Sequence, residues 1–238
     1  MQSDKNTETI YNVLSETCRH ELTNLLDKNK GVNHIDIKDD IEWASLLRLA
    51  RIHGVRPILL LGSQKLRMPS DVEQQLSSQC RSIVFKNFSI YREGLIITDY
   101  LHEHNIPYEH HKGVHLAQRL FGNIGMREMS DIDILLYPKD LEAIGSFLIS
   151  RGYRAETKIP KRWMRWHMYN NCEYNFDYYL NGQRIFHVEP HWFLGARVMQ
   201  MNIGLSDLYQ YRNHAHENLS PELLLIWYVP ITVVICAD

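Results

Sequence analysis

Between two runs rich in β-forming residues, CEYNFDYYL and QRIFHVEPHW, the chain sets the dipeptide Asn181-Gly182. A type I′ turn needs positive φ at both central residues, which Asn and Gly tolerate, so the stretch predicts a two-residue hairpin pairing 172–180 with 183–192. That hairpin commits the chain to a sheet and sets a register with Tyr174 opposite Glu189. Ile185, His187, Glu189 and His191 then share one face, while Glu173 and Asp177 fall on the other; a slip of one residue would exchange those two acids. Pro190 removes a ladder donor, which predicts that its strand lies at an edge or ends there.

The residues before the hairpin change texture once. Up to about residue 105 the pattern is helical: Trp43, Leu46, Leu47 and Ala50 recur at helical spacing and Gly54 follows as a stop. A second, longer helix opens at Ser70 with Glu73 in capping-box spacing, carries Val72, Leu76, Cys80, Ile83, Phe88, Tyr91 and Leu95, and ends near Asn105. From residue 106 short extended segments alternate with helices: IPYEHH as strand, GVHLAQRLFG as helix, DIDILLY as strand, and PKDLEAIGSFLISRG as helix with Pro138 in its first turn and Gly152 at its end. The expected organisation is α+β, a small mixed sheet, with a helical region at 1–105, a core at 106–195 and C-terminal helices in 196–238.

DIDILLY sets two acids where a buried strand asks for Val or Ile. Side chains alternate along a strand, so Asp131 and Asp133 project from one face, where two carboxylates repel unless a proton or cation intervenes. A solvated strand end would also tolerate them. A divalent ion such as Mg²⁺ or Mn²⁺ resolves the conflict, because hard cations take carboxylate oxygens and keep positions for water and phosphate. Glu189 supplies a third acid on a neighbouring strand, and three such groups can surround two ions about 4 Å apart, as phosphoryl and nucleotidyl transfer require. The histidines His110, His111, His115, His187, His191, His214 and His216 form no HExxH or Cys/His zinc pattern; His191, two residues beyond Glu189, shares its face. The segment KRWMRWHMYNN, 161–171, reads as a loop that stacks a base or grips an acceptor, or as a flap over the sheet.

Composition limits the partners. With 238 residues, 45% hydrophobic, the chain can bury a core, while a net charge of −2 offers no general attraction to polyanions. Long nucleic acid is therefore not expected as a partner. Cys18, Cys80, Cys172 and Cys236 form no CxxC pair, and the polar start MQSDKNTETIYNVLSE lacks the order of a signal peptide, which together favour reduced thiols in a cytoplasmic protein. LLLIWYVPITVVICA, 223–237, is too short for a membrane span and contains Pro230, so it reads as a buried helix and following segment.

HKGVHLAQRLFGNIGMREMSDIDILLYPKDLEAIGSFLISRGY resembles the core of the uncharacterised nucleotidyltransferase family within the DNA polymerase β-like superfamily. The likeness runs Lys-Gly, a helix, Arg, Asp-hydrophobic-Asp, a helix and Gly-Tyr, and extends to IEWASLLRLARIHGVRPILL, LHEHNIPYEHHKG and VEPHWFL, covering about 40–195. It implies that Asp131, Asp133 and Glu189 bind two Mg²⁺ or Mn²⁺ ions, that Glu189 helps deprotonate an acceptor hydroxyl, and that Gly113 opens a helix whose amides meet a triphosphate. Helix N-termini suit anions for independent physical reasons. Lys112 stands where the wider superfamily has a small residue, and is either a point charge for phosphate or a solvated turn lysine; Arg127 is a candidate phosphate or acceptor clamp. Glu189 stands where aspartate is common, and ITVVICAD reads as a truncated or divergent end. The expected reaction moves a nucleoside monophosphate from an NTP to a hydroxyl or phosphate of a small-molecule, sugar or peptide acceptor. The alternative is a catalytically inactive, repurposed member that binds a nucleotide or a partner.

Overall fold

A computed structural model describes residues 2–26, 41–110, 112–194 and 203–210. The fold is α+β, and the described residues gather into two compact units, one built from 2–89 and 117–129, the other from 90–116 and 130–210. Among them no helix is long and apolar enough to cross a membrane. The expectations for 223–237, and for most of 196–238, lie outside the described residues.

The first unit is helical: α1 (Gln2–Leu26), α2 (Trp43–Ile52), α3 (Arg56–Leu61) and the beginning of α4 (Ser70–Glu103). Ile10, Leu14 and Cys18 recur every four residues on α1 and meet Leu46 and Ala50 of α2, Leu59 of α3, and Leu76 and Cys80 of α4 in one buried cluster. Burial pushes the Cys18 thiol up to about 12, so it acts as a small apolar filler. Gly54 follows α2 at φ 66, the left-handed stop that the sequence predicts. At α4 the capping box is replaced by another arrangement, since the Glu73 carboxylate accepts from Ser63 Oγ at 2.6 Å. Residues 117–129 return to this unit and are fastened by Arg56, whose Nε and Nη2 donate to Glu128 at 2.8 and 2.5 Å.

The second unit holds a mixed sheet in the order β1-β2-β5-β4-β3: β1 (Tyr108–His110), β2 (Ile132–Leu136), β3 (Arg154–Ala155), β4 (Phe176–Leu180) and β5 (Gln183–His191). Only β2 and β5 run parallel. Every residue of β2 is buried, so both faces of the sheet are covered there. Helices α5 (Gly113–Phe121), α6 (Leu141–Ser150), α7 (Lys161–Asn170) and α8 (Leu205–Gln210) complete the chain's described elements. α6 packs close to the sheet at Gly145, where an added Cβ would lie 3.1 Å from the Phe176 ring. The end of α4 joins α6 through a stacked Tyr100–Phe147 pair and through Glu93, which accepts from Arg151 Nη2 at 3.0 Å and Tyr153 Oη at 2.9 Å.

Three sequence expectations need correction here. The hairpin turn forms with Asn181 at φ 51 and Gly182 at φ 78, but the register beyond it slips at a β-bulge between Tyr178 and Tyr179. Tyr179 pairs with Arg184 and Tyr178 with Phe186, leaving Ile185 as the extra residue, so Asp177 and not Phe176 faces His187. Glu173 bridges His191, and Tyr174 donates its N–H to the Pro190 carbonyl at 3.0 Å instead of facing Glu189. Pro190 is not at an edge, since β5 lies between β2 and β4, but the other alternative holds, because the strand ends one residue later, at His191. Finally, 161–170 is a helix, α7, because Met164, His167 and Met168 recur on one side and turn inward while Trp163, Trp166 and Tyr169 stay more than half exposed.

Candidate active site

The parallel pairing of β2 with β5 sets Asp133 directly beside Glu189. Asp133 is almost fully buried, and its Oδ1 lies 3.1 Å from His191 Nε2 and 3.4 Å from Lys112 Nζ. The same His191 nitrogen is 3.4 Å from Glu189 Oε2, so one ring stands between the two acids. Burial alone would push His191 down, but its hydrogen bonds to Asp133, Cys172 and Glu189 outweigh that and hold it well above the ordinary histidine value. Those contacts make His191 a buried partner shared by both acids.

Asp131 precedes β2 and joins this group electrostatically. Burial, then the charges of Asp133 and Glu189, raise its carboxyl above the usual range, against a hydrogen bond from Ser130 and the nearby Lys112 charge. Asp131, Asp133 and Glu189 offer carboxylate oxygens, the hard donors that Mg²⁺ or Mn²⁺ selects. Among the described residues, ligand atoms of Asp133, Glu189 and His191 lie within 4.8 Å of one another. Asp133 and Glu189, with His191 between them, fit a divalent ion, and Asp131 lies close enough to feel both charges.

Gly113 begins α5 at φ 68, and a Cβ on it would sit 3.6 Å from the Asp131 carbonyl oxygen. The N-terminus of a nine-residue helix thus starts beside the backbone that carries the acids. Ile90, Tyr91 and Gly94 of α4 line a cleft with His110, Lys112, Gly113, Asp131 and Asp133. The second unit accordingly brings together Lys112, Gly113, Asp131, Asp133 and Glu189. Arg127 belongs to the first unit, where its carbonyl accepts from Asn87 Nδ2 at 2.7 Å.

Two features escape the sequence reading. His187 lies between Asp177 Oδ1, 2.6 Å from its Nδ1, and Glu189 Oε1, 2.8 Å from its Nε2. The alternation of β5 already puts His187 on the Glu189 face, but the bulge that adds Asp177 is a cross-strand property with no local signature. The second is a stacked pair, His110 and His115, with ring centroids 3.4 Å apart. Burial lowers both, His115 to about 4, so they stay neutral near the acids. His111, His214 and His216 lie outside the described residues.

No curated protein and no solved structure matches the chain. A family model described as uncharacterised nucleotidyltransferase matches residues 39–224, which include every acid, lysine and glycine of the site. The chain belongs to the uncharacterised nucleotidyltransferase family.

Proposed function

We propose that the chain is a metal-dependent nucleotidyltransferase that moves a nucleoside monophosphate from an NTP to a hydroxyl or phosphate of an acceptor, with release of pyrophosphate. The observation that carries this reading is the register of Asp133 with Glu189 on parallel strands, with Asp131 near enough to be raised by both. A bound Mg²⁺ or Mn²⁺ would offset the charge that develops on the α-phosphate oxygens. The chain's own groups then have separable tasks. The first amides of α5 at Gly113 face the triphosphate, and Lys112 Nζ, 3.4 Å from Asp133, exchanges that partner for a phosphate oxygen. His191 holds Asp133 and Glu189 in place, and Glu189 accepts the proton of the acceptor hydroxyl. The acceptor is a small molecule, sugar or peptide, since a chain of net charge −2 has no general pull on a long polyanion.

One observation favours a second reading. His191 and Lys112 already set two positive groups against Asp133, an arrangement that a metal-free, repurposed binding protein would also satisfy. The test is transfer of α-phosphate label from each NTP, with Mn²⁺, into small-molecule and protein fractions of a cell extract. The enzyme reading expects labelled product with matching pyrophosphate, both lost in Asp133→Asn. Label that never leaves the nucleotide, from a folded protein, supports the binding protein.

A further inference from the structure

We propose that Asp177 and His187 form a brace that fixes the carboxylate of Glu189, so that this long acid presents one defined oxygen toward Asp133. The proposal rests on the cation site described above. His187 and Asp177 are both buried to about nine-tenths, and each ring nitrogen of His187 faces a carboxylate oxygen, at 2.6 Å on the Asp177 side and 2.8 Å on the Glu189 side. Asp177 is itself held, with Oδ1 3.4 Å from Arg184 Nη1 and Oδ2 accepting from Tyr179 Oη at 3.3 Å. With Oε1 of Glu189 engaged by His187, its Oε2 turns to His191 Nε2 at 3.4 Å, the nitrogen that also contacts Asp133. The line of contacts runs unbroken from β4 across β5 to β2.

Glutamate has one more rotatable bond than aspartate, so a ligand of this length wanders unless something outside the metal site holds it. The brace supplies that restraint, and the β-bulge at Ile185 makes it possible: in the unbulged register Asp177 would project from the opposite face of the sheet. Partners that orient a metal ligand in this way are typically worth 10–100-fold in metal affinity. Asp177 and His187 are thus positioning residues, acting through Glu189 and not on substrate.

The test is Mn²⁺ affinity of the whole chain, followed by the electron paramagnetic resonance signal of free Mn²⁺. Each variant is measured where circular dichroism shows it folded. Relative to wild type, His187→Ala should bind about 10-fold more weakly or worse. Asp177→Ala should follow in the same direction, and the double variant should be no weaker than His187→Ala alone. His187→Gln should recover part of the loss because its amide can still donate to Glu189, a rescue that a merely structural role would not produce. His187→Gln and Asp177→Asn carry the comparison if an alanine variant does not fold. Unchanged affinity in folded His187 variants, or losses that simply add, overturns the brace alone. A wild type that binds Mn²⁺ no better than Asp131→Asn/Asp133→Asn overturns the cation reading and the brace with it.

Discussion

Asp133 survives burial because two donors, His191 and Lys112, converge on its Oδ1 at 3.1 and 3.4 Å. Asp131 accepts from Ser130 at 3.1 Å, and its two neighbouring acids work against its charge. The same conservative change should therefore act with opposite sign at the two positions. Asp133→Asn strips His191 of its counter-charge and should cost about 1–3 kcal/mol in metal-free unfolding experiments. Asp131→Asn should stabilise the metal-free protein. A carboxyl whose folded pKa is raised weakens the fold only above its ordinary value, so the Asp131→Asn gain should be absent at low pH and grow as pH rises above about 3.8. His115 adds an acid-side effect of its own. Its folded value of about 4 lies below the ordinary 6.5, so stability is present above 6.5 and lost as pH falls toward 4. His115→Phe, which can still stack on His110, should remove up to about 3 kcal/mol of that loss in thermal or urea unfolding across the window.

At the scale of elements, the hairpin separates what local chemistry dictates from what pairing decides. Asn181-Gly182 fixes the turn by itself, and because a Cβ on Gly182 meets nothing within 4 Å, Gly182→Ala should cost about 1–2 kcal/mol through φ 78 alone. The bulge two pairs later is not legible: no residue type demands an extra Ile185, and its effect is felt on β4, where Asp177 moves to the site face. Deleting Ile185 should restore the simple register, return Asp177 to the far face and weaken Mn²⁺ binding about as much as His187→Ala, while the turn still forms. α7 was misread for a different reason. Its Arg and Trp residues lie on the exposed side and carry no helical pattern of apolar burial, whereas the 164, 167, 168 spacing that makes it a helix sits on the inward side.

For the whole molecule, the α+β class, the helical N-terminal region and the strand–helix–strand–helix order from 106 to 152, with the hairpin after it, follow from periodicity and turn residues in the sequence, whereas β3 and α7 do not. The return of 117–129 to the first unit does not, because it depends on pairs such as Arg56–Glu128, 72 residues apart. The first unit has its own buried cluster around Leu59, so Leu59→Ala should lower stability by about 2–5 kcal/mol yet leave the Mn²⁺ affinity of the folded protein unchanged. Of the candidate site, the acids and the Lys-Gly turn are visible as residue types at telling positions; the contacts of His187 and Asp177, and of His191 with both acids, emerge only once strands from distant sequence lie side by side. The central claim is that a metal–nucleotide complex binds at Asp131, Asp133 and Glu189. Its most direct test is the thermal midpoint with each of the four NTPs, with and without Mg²⁺ or Mn²⁺, for wild type and Asp131→Asn/Asp133→Asn. A nucleotide at about 100 times its dissociation constant should add roughly 2.7 kcal/mol to the wild type only when metal is present, and nothing to the double variant. A shift that ignores the metal, or that the double variant retains, would contradict the account.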